Sequence, residues 1–151
     1  MSLIPKSKLL KLFNFWPPFF ASGIRIKKLS PDFRAVDVEM KLRFWNTNYV
    51  GTHYGGSLYS MTDPFYMLML IEILGPNYVV WDKAATIHFK RPGKGVVSAQ
   101  FRLSQHQIEE IKNVLEMHPK YEPVFTVHVL DREQKIVCEV IKTLHIKKKE
   151  R

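Results

Sequence analysis

Residues 55–74, GGSLYSMTDPFYMLMLIEIL, are apolar on almost every side of a helical wheel, and the run stops at Gly75-Pro76. A helix without a polar face has to be wrapped by other elements. Its longest apolar stretch, Phe65–Leu74, is interrupted by Glu72 and falls far short of the ~20 residues that a membrane-spanning helix needs. The pattern therefore predicts one long core helix over Gly56–Leu74, with no membrane span, and the rest of the chain must supply its wrapping.

Strand patterns are available to do so. Between Phe33 and Phe44 the even positions Val36, Val38, Met40, Leu42 and Phe44 are apolar, with Arg34 the exception, while Asp37, Glu39, Lys41 and Arg43 occupy odd ones. That alternation marks a half-buried strand. Ile24–Leu29, ahead of the Ser30-Pro-Asp turn, reads as its hairpin partner. Four more strands are predicted at Lys83–Lys90, Val96–Ser104, Val124–Asp131 and Ile136–Ile146, the last alternating cleanly apart from Lys142. Gln105–Met117 carries a helical stripe of Ile108, Ile111, Val114 and Leu115. The order predicts an α+β fold in which a curved antiparallel sheet wraps a long central helix.

The ends differ in character. Leu9, Leu12, Phe13 and Trp16 recur at helical spacing with Lys6, Lys8 and Lys11 off the stripe, which predicts an amphipathic helix within residues 1–20, ended by Pro17-Pro18. Residues 147–151 read as a basic tail. At 151 residues the chain suits one domain, 1–151, large enough to bury roughly 68–70% of the surface its unfolded form exposes. A single Cys138 excludes an intrachain disulfide, and the first residues lack a signal-peptide pattern, so a cytoplasmic setting is expected. The 23 Lys and Arg against 14 Asp and Glu give +9, which favours an anionic partner. No RNP, zinc-finger or helix-turn-helix pattern accompanies the basic clusters, so nucleic acid is not the expected one.

Chemistry concentrates just ahead of the core helix, in NYVGTHYGGSLYSMTD, residues 48–63, where three of the chain's 7 Gly fall within six positions. Glycines at 55 and 56 let a ligand approach the backbone with no Cβ in the way. Unpaired N–H groups at a helix start favour negative charge there. Asp63, in apolar surroundings, suits a general base near neutral pH. Standing directly before Pro64, it equally suits an N-cap with Pro at the first helical position. Both readings are open at this point.

The spacing Asn-x-x-Gly-x-x-[His/Tyr]-Gly-Gly-x-Leu-[Phe/Tyr]-Ser-x-x-Asp, followed by a strand ending Phe89-Lys-Arg-Pro92-Gly, resembles the hotdog-fold acyl-CoA thioesterases. It is similar in particular to the phenylacetate-pathway thioesterases and to a related family of uncharacterised bacterial thioesterase-like proteins. The resemblance runs from Ile24 to His145 and implies the hotdog fold. It implies hydrolysis of an acyl-CoA or acyl-carrier thioester, with coenzyme A entering only as part of the substrate and no separate cofactor. It also implies a homodimer or tetramer whose site takes the loop from one subunit and Asp63 from the other. Asn48 would order the loop and a water, Gly55 would offer its N–H to the thioester carbonyl beside Gly56, and Asp63 would activate water or attack directly.

Tyr54 stands where many relatives carry His, with His53 displaced by one position; a Tyr hydroxyl is a poor base at pH 7, which argues against a His-dependent dehydratase. Asp82, with Lys83 and Thr86 close by, falls where relatives often carry Ser or Thr for water alignment. Asp82 could act on Asp63 or pair with Lys83, and the residues leave that open. Lys90, Arg91 and Lys94 around Pro92-Gly93 form either a solvated turn or a site for coenzyme A phosphates. The six His show no metal-ligand spacing, and Cys138 lies on the apolar face of a strand. Two other functions are carried forward: a non-catalytic acyl or lipid binder in which Asp63 only caps, and a hydratase or dehydratase.

Overall fold

The computed structural model describes Lys8 and residues 11–149. A single turn of 3-10 helix, Lys11–Phe15, leads into α1 (Pro17–Ser22) and the hairpin β1 (Ile24–Leu29) and β2 (Ala35–Lys41). Next come α2 (Gly55–Ser60), α3 (Phe65–Leu74), β3 (Tyr78–Phe89), β4 (Val96–Arg102), α4 (Gln105–Met117), β5 (Lys120–Tyr121), β6 (Val124–Leu130) and β7 (Ile136–Lys148). The strands pair antiparallel in the order β1-β2-β4-β6-β7-β3, with the short β5 pairing β7.

Alternation fixes which face of this sheet is wet. In β2 the residues Val36, Val38 and Met40 are buried, and seven unbroken pairs run from Ala35↔Arg102 to Lys41↔Val96, which places Val97, Ala99 and Phe101 of β4 on the same inner face. The hairpin turn is tied by Ser30, whose Oγ accepts from the backbone N–H groups of Arg34 and Ala35 at 3.0 and 2.9 Å. α4 begins on a capping box, Ser104 with Gln107, and lays Ile108, Ile111 and Leu115 on the core.

The core helix is broken. The expected helix over Gly56–Leu74 is two pieces, α2 and α3, joined by Met61–Pro64. Pro64 has no N–H to donate to the Ser60 carbonyl, which accepts from Asp63 N–H at 3.3 Å instead, and the helical ladder resumes only with Leu68 N–H to Pro64 C=O at 2.9 Å. Neither the side chain of Asp63 nor any other caps α3. α3 buries Phe65, Tyr66, Met69, Leu70 and Leu74 against the sheet. An aromatic layer fills the space between, with Tyr66 stacked on Phe125 at 4.5 Å and Phe65 against Phe101 at 4.9 Å.

Further boundaries depart from the sequence pattern, among them the start of β3, expected at Lys83 and found at Tyr78. Pro17-Pro18 open a helix rather than close one, because a missing N–H costs nothing in a first turn whose N–H groups have no partner anyway. The remainder of the expected N-terminal helix, residues 1–7 with Leu9 and Leu10, lies outside the described residues. The strand expected to reach Phe44 stops at Lys41, because buried Asn46 takes over the backbone there: its Nδ2 donates to the carbonyls of Lys41 and Ser22, both at 2.9 Å, and its Oδ1 accepts from Arg43 N–H at 2.7 Å. Lys147 and Lys148 belong to β7, so no separate tail begins at 147; Glu150 and Arg151 lie outside the described residues.

The two edges of the sheet are treated differently. Along β1, Asn14 mimics a strand neighbour, its Oδ1 accepting from Ile26 N–H at 2.7 Å and its Nδ2 donating to Ile26 C=O at 3.4 Å. β3 pairs on one side with β7 over almost its full length, and among the described residues no strand pairs with its other side. Lys83 through Thr86 of β3 are exposed on both faces.

Candidate functional site

The loop ahead of α2 is built on Asn48. Its Oδ1 accepts from the N–H groups of Val50 and Thr52 at 3.1 and 2.9 Å, and its Nδ2 donates to Thr52 Oγ1 at 2.8 Å and to the His53 carbonyl at 3.3 Å. Gly51 completes the turn at φ 79°, a conformation that favours glycine. The loop then docks on the turn after β3: His53 N–H donates to Gly93 C=O at 2.9 Å and its ring Nε2 donates to Gly95 C=O at 2.9 Å. Burial holds the His53 imidazole below its usual pKa, partly opposed by Gly95, so the ring is neutral and Nδ1 is an acceptor. That Nδ1 is buried and has no hydrogen-bond partner among the described residues.

This docking makes a cavity of about 440 Å³ lined by Asn48, Thr52, His53, Gly55, Leu58 and Phe89–Gly93. Asn48 and Gly55 are thereby brought together with Lys90 and Arg91, whose own N–H groups are held by Val137 C=O at 2.8 and 3.2 Å. Lys94, next to Gly93, is exposed and does not line the cavity. A Cβ at Gly55 would stand 3.0 Å from the Phe89 ring, so glycine keeps this wall open. At Gly56 a Cβ would meet the Tyr54 ring at 2.5 Å; Tyr54 precedes α2, is half exposed, and covers the backbone of the helix start.

Asp63 belongs to a second cluster. It lies beyond the end of α2, is not among the cavity's lining residues, and accepts a hydrogen bond from Tyr59 Oη at 3.1 Å. No side-chain cap hydrogen bond is made at the start of α3, which removes the capping reading of Asp63. Lys142 Nζ sits 3.8 Å from its Oδ1 and 3.2 Å from Asp82 Oδ1. Burial first, then the Asp63 and Asp82 carboxylates, push the Tyr59 hydroxyl up to about 12, so Tyr59 keeps the proton that it donates to Asp63. Burial also holds Asp82 above the ordinary carboxylate range, with Lys142 pulling it down and Asp63 pushing it up.

The choice left open for Asp82 is settled by a bulge. The β3–β7 register shifts between Asp82 and Ala84, so Lys83 is the extra residue, while Asp82, opposite Leu144, keeps the inner face of Val80. Lys83 instead reaches outward to Glu122, both of whose carboxylate oxygens lie at 2.9 Å. Together with His145 this pulls the Glu122 carboxyl down to about 2. Thr86 is exposed on β3, two residues beyond the bulge. Cys138 is buried and its thiol is raised to about 11 by burial, as a core residue should be.

Sequence reasoning missed Lys142 and the role of Tyr59. The signal for Lys142 was present: it is the one charged residue among the buried positions of β7, and it is fully buried. Among the described residues no helix is long and apolar enough to cross a membrane.

The architecture recurs in solved structures. A Pseudomonas aeruginosa protein of unknown function described as a probable thioesterase shares it at 21% identity and a TM-score of 0.83, over 97% of each chain. The Escherichia coli PaaI protein from the phenylacetic acid degradation operon matches at 16% identity and TM-score 0.62, over 99% of this chain and 97% of its own. A hypothetical thioesterase from Streptococcus pneumoniae, solved with coenzyme A, matches at 17% and 0.61, over 93% of this chain and 99% of its own. These likenesses establish the hotdog fold, a curved antiparallel sheet around a central helix. No curated protein matches the chain. The model of one family, described as "Domain of unknown function (DUF4442)", matches residues 6–146, and the chain belongs to that family.

Proposed function

We propose that this protein hydrolyses acyl-CoA or acyl-carrier thioesters as a homodimer. The observation that carries the reading is the Asp63 carboxylate, held by one Tyr59 hydroxyl and otherwise half exposed, at the end of the short helix that starts on Gly55. Thioester hydrolysis builds negative charge on the carbonyl oxygen, which the N–H of Gly55 would meet, while Asp63 takes the proton of an attacking water or attacks the carbonyl itself. Lys90 and Arg91, at the rim of the Gly55 cavity, suit the phosphates of a coenzyme A. That a hotdog neighbour was solved with coenzyme A supports this ligand class.

Two features support a dimer. Asp63 does not line the Gly55 cavity of its own chain, so a complete site needs an Asp63 from elsewhere. The outer side of β3, with both faces of Lys83–Thr86 exposed, offers the edge on which a second copy would pair. Sedimentation at micromolar concentration should therefore give a dimer or a dimer of dimers; a monomer that still turned over substrate would rule out the shared site.

Thiol release measured across short, long and aromatic acyl-CoAs tests the function itself. Absence of turnover on the whole panel, with binding retained, would replace the hydrolase by an acyl-binding protein. Lys90→Glu with Arg91→Glu should raise KM several-fold and change kcat little, because contacts to the remote phosphates act about equally in ground and transition states. High salt should raise the wild-type KM in the same direction, and a salt-insensitive KM unchanged by the variant would move the coenzyme site elsewhere.

A further inference from the structure

A lysine in the middle of a core strand is costly unless every one of its ammonium hydrogens is used. Lys142 takes the inward position between Val140 and Leu144 of β7 and has no exposed surface. Its Nζ contacts the Asp63 carbonyl, lies 3.3 Å from the Thr62 carbonyl and 3.2 Å from Asp82 Oδ1, and stands 5.8 Å above the Tyr59 ring. The two carbonyls belong to the break between α2 and α3, where the helical ladder is interrupted and carbonyls need a donor from outside.

We infer that Lys142 is a positioning residue: from the sheet it clamps the Met61–Pro64 break and so aims the Asp63 carboxylate, with Asp82 as its counter-ion. The inference rests on the reading of Asp63 as the reacting carboxylate. The geometry separates the two jobs of the ammonium. Its short contacts go to the backbone of the break and to Asp82, whereas Asp63 Oδ1, at 3.8 Å, feels the charge without being consumed by a hydrogen bond from it. The second carboxylate oxygen of Asp63 accepts no hydrogen bond among the described residues, which leaves it for a water or a thioester carbon. Asp82 reaches the ammonium from the inner face of β3, opposite Leu144 and in step with Val80. The groups facing Lys142 are thus Tyr59 from α2, Asp63 from the break and Asp82 from β3, and the positive charge offsets the repulsion between two converging carboxylates.

The charge-neutral pair Lys142→Met with Asp82→Asn removes the clamp without stranding a buried charge. With active wild type, kcat for thiol release is expected to fall at least tenfold with KM within about twofold; a kcat within twofold of wild type overturns the inference. Hydrogen–deuterium exchange gives a readout independent of catalysis: amides of Met61–Phe65 should exchange at least tenfold faster, while those of β4 stay as they are. If Asp63→Asn keeps full thiol release, or wild type releases none, the reading of Asp63 has failed, and exchange alone decides: unchanged rates overturn the clamp. Should the double variant not fold, the Lys142 ammonium resonance in ¹⁵N NMR of wild type is compared with that of Asp63→Asn. A shifted resonance is expected, and identical spectra overturn the inference.

Discussion

Asp63→Asn should lower kcat for thiol release by about 10²-fold or more, the scale of a lost general base, while the protein stays folded. The substitution is close to isosteric and keeps Oδ1 as an acceptor for the Tyr59 hydroxyl at 3.1 Å. It removes one of two carboxylates near Lys142, but Asp82 at 3.2 Å and the carbonyls of Thr62 and Asp63 still hold the ammonium. The lost attraction acts across 3.8 Å to a side chain that is 49% exposed, where solvent screens it. A cost of about 1 kcal/mol corresponds to roughly 2–4 °C in Tm for a domain of this size.

Asp63→Ala is the informative companion. The sequence suggested that Ala would forfeit a helix cap, but no side chain caps α3, so Ala differs from Asn only in the Tyr59 hydrogen bond, a further ~1 kcal/mol. The two variants should therefore lose activity alike and melt within several degrees of each other. Near wild-type thiol release in Asp63→Asn, measured on the same acyl-CoA, would exclude Asp63 as base or nucleophile.

Much of this architecture is legible in the sequence because two periods are written cleanly. β1 and α4 have the expected limits, Ile24–Leu29 and Gln105–Met117, since one is set off by a Ser-Pro-Asp turn and the other opens on a capping box. Asn48 and Gly55, singled out by the loop motif, and Lys90 and Arg91, singled out as a basic turn, line one cavity in the structure. What escaped depends on partners distant in sequence. Pro17-Pro18 start a helix and Pro64 interrupts one, yet a proline reads the same in both settings until the preceding residue's bonding is known.

The Asp63–Lys142–Asp82 cluster was hidden for a related reason. Lys142 broke the alternation of β7 and was visible as an exception, but nothing local says that its counter-charges come from Asp63 and Asp82. Asp82 faces inward in step with Val80, but the extra residue at Lys83 then shifts the register of β3, and a bulge leaves no mark in a period-two pattern.

Phe101→Ala should do the opposite of Asp63→Asn, removing stability and sparing chemistry. Phe101 is fully buried at the centre of the sheet, in β4, with its ring 4.9 Å from Phe65 and edge-on to Tyr66 at 5.2 Å. Those two rings are the face that α3 presents to the sheet, and they continue to Phe19 at 5.8 Å and Phe125 at 4.5 Å. Truncating a buried Phe costs about 3–5 kcal/mol, from lost transfer energy and the cavity left behind. The loss of two aromatic contacts pushes toward the upper end of that range. At roughly 2–4 °C per kcal/mol, Tm should drop by about 10 °C or more. Asp63 is held through Tyr59 and Lys142, neither of which touches the Phe101 ring, so kcat at a temperature well below the new Tm should stay within a few-fold of wild type. A thermal melt that moved by less than about 2 °C would mean that α3 is not packed on β4 as described, and the helix that carries Asp63 at its break would then need another support.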